Sequence, residues 1–173
     1  MVYRTRTYIA GDWTGDAELI TKLYQWNNDD RLNFHFSDAH QMKMARDDSL
    51  PCTIKNSLRD RLNGSKTFVL IVGNGTDGLT KGSCQFCSGY IAAWKYCVHG
   101  YTTHTESFVK YECEYAAKHQ DEVKIVVIYN STTVTRSKCP ECIRWLGNHI
   151  SAYDNEFGYK RLNYQRIKDA IMK

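Results

Sequence analysis

The sequence predicts an α/β fold in which a parallel sheet is covered by helices on both faces. Two continuous apolar runs, at residues 67–72 and 124–129, lack the alternation of a half-exposed strand and suit strands buried on both sides. Amphipathic segments with helical spacing alternate with the strand-like runs. With 173 residues the chain is long enough to bury one substantial core, so we predict a single domain over residues 1–173.

The first part of the chain predicts two strands and two helices. Residues 5–10 are rich in β-forming side chains and predict the first strand. Apolar side chains recur at helical spacing over residues 16–26, and residues 33–37 predict a second short strand. A second helix is expected between Pro51, which suits a first turn, and Gly64, which suits the position just past a helix end.

The second part adds the two apolar strands, a helix at residues 105–118 and a last helix at residues 163–172. Residues 74–104 interrupt this alternation as a long insertion that contains three cysteines. Such long segments inside compact domains are usually functional or have their own organisation. The insertion follows the strand at 67–72, so it leaves the sheet at the carboxyl edge, where doubly wound folds bind ligands.

Composition excludes several functional classes. The net charge is only +4, and basic residues are interspersed with acidic ones, so no nucleic-acid surface is predicted. No stretch approaches the 18 apolar residues or so that a membrane-spanning helix requires. The chain start lacks the apolar run of a secretory signal. We therefore expect a cytoplasmic protein that binds neither nucleic acid nor membrane.

Glu112 is predicted on the inward face of the helix at residues 105–118. It lies four residues after Phe108 and four before Ala116, which places the three on one face. Glu114 is turned roughly 160° away, at about 100° per residue. An inward carboxylate loses hydration, and its pKa tends to rise. Two interpretations remain at this point: a structural glutamate paired with a cation, or a catalytic group.

Several segments resemble bacterial TIR-like (Toll/interleukin-1 receptor-like) proteins in the same order along the chain. Residues 108–116, F-V-K-Y-E-C-E-Y-A, resemble the family pattern F-V-R-W-E-I-E-x-A. Further similar segments are Y-I-A-G-D at residues 8–12, F-H-F-S-D-A-H at 34–40, A-R-D-D-S at 45–49, and the helix and strand at 54–73. Together these segments span most of residues 5–130.

The resemblance implies a flavodoxin-like three-layer fold with a five-stranded parallel sheet in the order 2-1-3-4-5 and the insertion after strand 3. Many bacterial TIR proteins cleave the nicotinamide–ribose bond of NAD+, and the related Thoeris ThsB proteins make a cyclic or conjugated ADP-ribose signal during phage infection. By this resemblance NAD+ is the substrate and Glu112 the catalytic residue, since a carboxylate can stabilise an oxocarbenium-like ribose. The alternative is a non-catalytic TIR-like signalling adaptor that acts through protein–protein contacts.

The same resemblance implies partners: a second copy of the chain in a homo-oligomer, a phage-derived activator, and a downstream effector reached through the nucleotide signal. Six residues near the carboxyl edge are candidate substrate-binding groups: Gly11, Asp12, Trp13, Asp38, His40 and Arg46. Gly11 permits close backbone approach to a phosphate or ribose, and Trp13 either stacks on a base or packs in the core. His40 either bonds the substrate or caps its loop, and Arg46 either binds a diphosphate or pairs with neighbouring aspartates.

Seven cysteines include two C-x-x-C pairs, Cys84-Gln-Phe-Cys87 and Cys139-Pro-Glu-Cys142. Two such pairs are typical of a tetrahedral structural zinc site, and in the expected fold they follow neighbouring strands at one edge. We therefore predict a zinc site on these four cysteines. The substitute ligands are Cys97, His99 and His104, and the competing interpretation is a set of free thiols. Cys52 and Cys113 are expected to be isolated core thiols.

Overall fold

The computed structural model describes residues 5–39 and 50–173. In chain order the elements are β1 (Arg6–Ala10), α1 (Ala17–Asn27), α2 (Pro51–Asn63), β2 (Ser65–Val72), β3 (Tyr90–Ile91), β4 (Tyr96–Cys97), α3 (Phe108–Lys118), β5 (Lys124–Tyr129), β6 (Asn148–Ser151), β7 (Tyr153–Glu156), β8 (Tyr159–Leu162) and α4 (Tyr164–Met172). Strands β1, β2, β5 and β6 form a four-stranded parallel sheet in that order. Strands β3 with β4, and β7 with β8, form two antiparallel pairs.

Both faces of the sheet are buried, as the apolar runs predict. In β2, Phe68 and Leu70 face the layer that contains α2 and α3. Val69 and Ile71 face the opposite layer, which contains α1 and α4. Successive strand side chains point to opposite faces, so a strand covered on both sides must be apolar at every position. The prediction of an α/β fold with a covered parallel sheet is confirmed.

The predicted helices are present with small shifts at their ends. Pro51 occupies the first turn of α2. Helix α3 begins at Phe108 instead of residue 105, because the Ser107 hydroxyl caps the helix and accepts the Lys110 N–H at 3.2 Å. Asn163 caps α4 in the same way through the Arg166 N–H. Within the described parts of the chain, none of the helices is long and apolar enough to cross a membrane.

The strand predicted at residues 33–37 is wrong, and the sheet therefore has four strands instead of five. Asn33 has a φ of 49°, a left-handed conformation that interrupts an extended segment. The Phe36 N–H donates to the Asn27 side chain at 2.6 Å, so it is not available to a strand ladder. Only Asp38 lies beside β1, as a single parallel bridge to Thr7.

The structure contains three short strands near the carboxyl terminus that the sequence patterns did not predict. Each of β6, β7 and β8 has four residues and carries polar side chains without a buried apolar run. Strand β6 nevertheless extends the parallel sheet beside β5. The β7–β8 hairpin turns at Phe157 and Gly158, which have φ values of 50° and 87°. Short strands of this kind depend on a partner strand, which periodicity does not reveal.

The insertion at residues 74–104 contains the β3–β4 hairpin and is closed at its base by backbone hydrogen bonds. The Cys84 N–H donates to the His104 carbonyl at 2.9 Å, and the Phe108 N–H donates to the Lys81 carbonyl at 2.9 Å. The ammonium of Lys55, on α2, donates to the carbonyls of His104 at 3.0 Å and Glu106 at 2.5 Å. Lys55 is only 1% exposed, and burial lowers its pKa. A buried cation thus attaches the end of the insertion to α2.

We expect Lys55→Ala to lower the free energy of unfolding by about 1–3 kcal/mol, because the two carbonyls lose their donor in a partly buried setting. Urea denaturation followed by circular dichroism measures the change. Arg59→Ala, which removes an exposed cation from the same helix, is the control and should change stability by no more than about 0.5 kcal/mol. Equal losses in the two variants would contradict an anchoring role for Lys55.

Candidate functional site

The centre of the candidate site is a buried carboxyl group, Glu112 of α3. Its side chain is 4% exposed and faces the sheet from the same helix face as Val109 and Ala116. The Tyr8 hydroxyl, on β1, donates a hydrogen bond of 2.6 Å to Glu112 Oε1. Tyr8 is itself fully buried, and its ring stacks on Phe68. The structure therefore places Glu112 inward, as the helix pattern predicts, and gives it a phenol partner.

Burial controls the protonation of Glu112. Loss of hydration raises the pKa of its carboxyl to about 8, while the hydrogen bond from Tyr8 and the positive charge of Arg61 act in the lowering direction. The pKa of Tyr8 is raised as well, first by burial and then by the neighbouring Glu112 charge. Near neutral pH, Glu112 is therefore largely a neutral acid.

Asp38 lies beside the amino-terminal half of β1, opposite Thr7. The Ala39 N–H donates to the Thr7 carbonyl at 3.0 Å, and the Thr7 N–H donates to the Ser37 carbonyl at 2.9 Å, which fixes the backbone around Asp38. Asp38 also contributes, more weakly than Glu112, to the raised pKa of Tyr8. Two carboxyl groups from distant parts of the chain thus act on one buried phenol.

An aromatic cluster accompanies Asp38. The Tyr24 hydroxyl donates to Asp38 Oδ2 at 2.6 Å. The Trp13 ring lies against the Tyr24 ring with centroids 6.1 Å apart, and Trp13 remains 45% exposed. Trp13 is therefore a surface aromatic at the carboxyl edge and not a core residue. Tyr24 was not predicted as a site residue, because in the sequence it belongs to the apolar stripe of α1.

The loop after β1 is held by its own backbone. Asp12 Oδ1 accepts the Thr14 N–H at 3.0 Å, and the Asp12 carbonyl accepts the Asp16 N–H at 2.8 Å. A Cβ atom at Gly11 would lie 3.1 Å from the Ile71 side chain. The missing side chain at Gly11 therefore allows β2 to pack closely against the loop after β1.

Asp16 is another buried acid, and it was not predicted as a site residue from the sequence. It is 2% exposed, and its Oδ1 accepts the Asn130 amide at 2.8 Å. Its Oδ2 has no hydrogen-bond partner among the described residues. Burial is the largest cause of its raised pKa. A Cβ atom at Gly73 would lie 2.8 Å from Oδ2 and closer still to Oδ1. Asp16 thus joins the loop after β1 to the carboxyl ends of β2 and β5.

Residues 8–80 match a family model, the Thoeris protein ThsB, TIR-like domain. In a comparison with curated proteins the chain has no match. The resemblance to TIR-like proteins is confirmed over residues 8–80, which contain β1, α1, α2 and β2. The matched part ends before α3, so the assignment of Glu112 depends on its own geometry and on the pattern around it.

The TIR-like segment, residues 8–80, contains all six candidate substrate-binding residues. Gly11, Asp12 and Trp13 follow the carboxyl end of β1, whereas Asp38 lies beside Thr7 near the start of that strand. His40 and Arg46 lie outside the described residues. Glu112 reaches the same region from α3 through Tyr8. The roles of these residues toward a substrate stay predictions.

The cysteine pairs do not come together as the zinc prediction requires. Cys84 Sγ accepts the backbone N–H of His104 at 3.4 Å. Cys139 is fully buried in the apolar layer of α2 and α3, and Cys142 packs against that layer. Over residues 5–39 and 50–173, no three His, Cys, Asp or Glu side chains are grouped so that they could hold a metal ion.

Zinc on Cys84, Cys87, Cys139 and Cys142 is therefore not supported, and no substitute set that uses Cys97, His99 or His104 forms. His104 instead pairs with Glu106, with Nδ1 and Oε1 3.0 Å apart. All seven cysteines are free thiols. Cys52 is a buried core thiol, as predicted. Cys113 is likewise fully buried, as a core thiol of α3.

The raised pKa of Glu112 predicts a pH-dependent stability. In the unfolded chain this carboxyl ionises near 4.5, whereas in the folded chain it ionises at about 8. Between these values only the unfolded state has lost the proton, so stability falls as pH rises through this window. From pH 5 to 8 we expect the free energy of unfolding of the wild type to fall relative to that of Glu112→Gln. The gap between the two pKa values of Glu112 sets the size of this loss. Urea denaturation at several pH values measures this.

Glu114→Gln is the matched control for that measurement. Glu114 lies on the same helix but is half-buried on another face. We expect this variant to keep the wild-type pH profile. Parallel profiles for the wild type and Glu112→Gln would contradict the assignment of a raised pKa to Glu112.

Gly73→Ala should destabilise the protein by about 1–3 kcal/mol, because the new Cβ overlaps the Asp16 carboxyl group. Gly75→Ala is the control, since a Cβ there meets no atom within 4 Å. Thermal unfolding of both variants tests the difference. In an Asp16→Ala background the cost of Gly73→Ala should shrink. An undiminished cost there would show that the Asp16 carboxyl is not the cause.

Proposed function

We propose that this protein is a TIR-like enzyme of antiphage defence that cleaves the nicotinamide–ribose bond of NAD+ and makes a cyclic or conjugated ADP-ribose signal. The match of residues 8–80 to the ThsB TIR-like domain supports a role in defence signalling. The single observation that supports catalysis is the buried Glu112 carboxyl, paired with Tyr8 below the carboxyl edge of the sheet. Such perturbed carboxyl groups are typical of catalytic positions.

In the proposed reaction, neutral nicotinamide leaves with the electron pair of the C–N bond. The ribose carbon then carries positive charge, which ionised Glu112 stabilises. A ribose or nucleotide hydroxyl, or water, forms the new C–O bond and releases its proton. Glu112 is largely neutral below its raised pKa of about 8. The approach of the positively charged nicotinamide–ribose is therefore needed to favour its ionised form. Tyr8 is the positioning residue, since its hydroxyl fixes Glu112 Oε1.

The aromatic cluster supports a place for the rest of the nucleotide. The exposed ring of Trp13 offers a stacking surface for a base. The Asp38 carboxylate accepts a hydrogen bond from the Tyr24 hydroxyl, and we propose that Asp38 takes part in positioning the ribose. We propose that Gly11, Asp12, His40 and Arg46 complete this binding surface in the cytoplasm, where NAD+ is available.

We propose that the enzyme is latent until it is activated. Glu112 is 4% exposed, so a substrate cannot reach its carboxyl in the described conformation. A phage-derived activator, or assembly into a homo-oligomer, would supply the change that opens the site. The product would then reach a downstream effector as a diffusible nucleotide. This order of events agrees with a family match that points to signalling.

We infer that residues 33–38, although they form no strand, occupy the edge position beside β1 that an additional strand has in the flavodoxin-like order. The single bridge between Asp38 and Thr7 has the parallel direction of that arrangement. It also places Asp38 on the side of β1 away from β2. In this arrangement the candidate site lies at the same edge at which doubly wound folds bind nucleotides.

The second candidate function is a non-catalytic TIR-like adaptor. The observation in its favour is that Glu112 is sealed by Tyr8 and does not line an open cleft. The insertion also exposes large apolar side chains that could meet a protein partner. These are Phe86 at 72%, Trp94 at 77% and Tyr96 at 49% exposure. The experiment on Glu112 separates the two functions.

The full chain is incubated with NAD+ and extract from phage-infected cells, and nucleotide products and nicotinamide are measured by mass spectrometry. We expect Glu112→Gln to reduce nicotinamide release by roughly 100-fold or more, because it removes the charge that stabilises the transition state. Glu114→Gln should retain wild-type release. Circular dichroism checks that both variants are folded. Unchanged release by folded Glu112→Gln would overturn the catalytic assignment, and product-free activation of a defence response would favour the adaptor.

A further inference from the structure

A cleft lies between α1 and the β7–β8 hairpin, on the face of the sheet away from Glu112. It encloses about 590 Å³, a volume in the range of small-molecule sites. Helix α1 packs in the opposite layer from α3, so the cleft is separate from the buried pair of Glu112 and Tyr8. Its lining includes Glu18, Lys22 and Gln25 of α1 and Tyr153, Lys160 and Leu162 of the hairpin.

The hairpin wall of the cleft is held in place by strand pairing and by α4. Tyr153 of β7 pairs directly with Leu162 of β8, and Lys160 lies two residues before Leu162. Paired residues and alternate residues of a strand share one face, which explains why these three side chains line the same cleft. At the base of the hairpin, the Arg166 guanidinium donates to Asp154 Oδ1 at 2.6 Å. The wall is therefore anchored to the body of the domain.

Two lysines bring positive charge to opposite walls of the cleft. Lys22 Nζ, on α1, donates to Gln25 Oε1 at 3.2 Å. Among the residues that the structure describes, neither Lys22 nor Lys160 belongs to an ion pair. Arg161, next to Lys160, is instead paired with Glu156 at 3.1 Å. Two ammonium groups on facing walls can bind one phosphate through charge-assisted hydrogen bonds.

The charge of the cleft changes sign along α1. Glu18 lies one helical turn before Lys22, which is about 6 Å along the axis at 1.5 Å per residue. The pKa of the Tyr153 phenol is raised by burial first, and then by the negative charges of Glu18 and Asp16. The Tyr153 hydroxyl therefore stays protonated near neutral pH and can donate a hydrogen bond. An anionic group suits the Lys22 end of the cleft, and hydroxyl groups suit the Glu18 end.

We propose that this cleft binds a sugar phosphate. The phosphate lies between Lys22 and Lys160, and the sugar hydroxyls donate to the Glu18 carboxylate. The apolar face of the sugar packs on Tyr153 and Leu162. A free sugar phosphate and the phosphoribosyl part of a nucleotide share this chemistry. Binding in the cleft involves no reaction at Glu112, so it does not depend on the proposed function.

Isothermal titration calorimetry of the full chain with ribose 5-phosphate and with ADP-ribose tests the proposal and distinguishes the two sources. We expect at least one of them to bind at a single saturable site. Lys22→Ala and Lys160→Ala should each raise its Kd by roughly tenfold or more, because each removes a charged donor. Lys110→Ala removes an exposed cation from α3 and is the matched control, so it should leave Kd unchanged.

Glu18→Ala separates recognition of the sugar from attraction of any anion. We expect it to weaken ribose 5-phosphate or ADP-ribose binding, because the sugar hydroxyls lose their acceptor. Inorganic phosphate has no such hydroxyls, so its binding should be unchanged or tighter once the negative charge is removed. Tighter binding of the sugar phosphate and of inorganic phosphate alike would overturn the proposal.

The altered side chains Glu18, Lys22 and Lys160 are exposed, and circular dichroism verifies that the variants are folded. No saturable binding of either ligand, a loss in only one of the two lysine variants, or an equal loss in the control would overturn the proposal. The titrations are repeated in Glu112→Gln, where binding should persist. Loss of binding there would place the ligand at Glu112 instead of the cleft. NAD+ turnover enters none of these measurements, so the cleft and the proposed function can fail separately.

Discussion

The hydrogen bond between Tyr8 and Glu112 is the constraint on which the arrangement of the site depends. It joins β1 to α3 across 104 positions of sequence, inside an otherwise apolar layer. A buried carboxyl without a partner costs several kcal/mol, so the position of α3 over the sheet must satisfy this one contact. Burial keeps the acid neutral, whereas the Tyr8 hydrogen bond acts to lower its pKa. Stability and reactivity therefore make opposite demands on Glu112.

The carboxyl edge of the sheet collects polar groups from distant segments. Asp12 lies there in the loop after β1, and Asp16 is held there by the Asn130 amide beside the space left by Gly73. Because the ends of parallel strands lie side by side, residues far apart in sequence become neighbours there. The polar groups also limit how the connecting loops can move, since each buried oxygen needs its partner.

Much of the fold follows from the sequence, and the exceptions have physical causes. Strands β2 and β5 and helices α2 and α3 have strong apolar patterns and clear helix ends. The segment at 33–37 has strand-like residues, but the left-handed Asn33 and a side-chain bond from Asn27 prevent pairing. Strands β6 to β8 are short and polar, so only their partners specify them. The inward position of Glu112 was predictable from its helix face, whereas Tyr8 as its partner was not, because long-range contacts leave no local pattern. The cysteine spacing was misleading for the same reason: C-x-x-C pairs occur both with and without a metal.

The closure of the insertion at its base separates its interior from the layer that contains Glu112. Its two ends are fixed to each other near Cys84 and His104, and Lys55 attaches the far end to α2. Changes of length or composition between Cys84 and His104 should therefore have little effect on the position of α3. The exposed aromatic residues of this segment can therefore be replaced without moving the buried Glu112 carboxyl. Surface recognition and the buried polar contact are in this sense independent parts of the molecule.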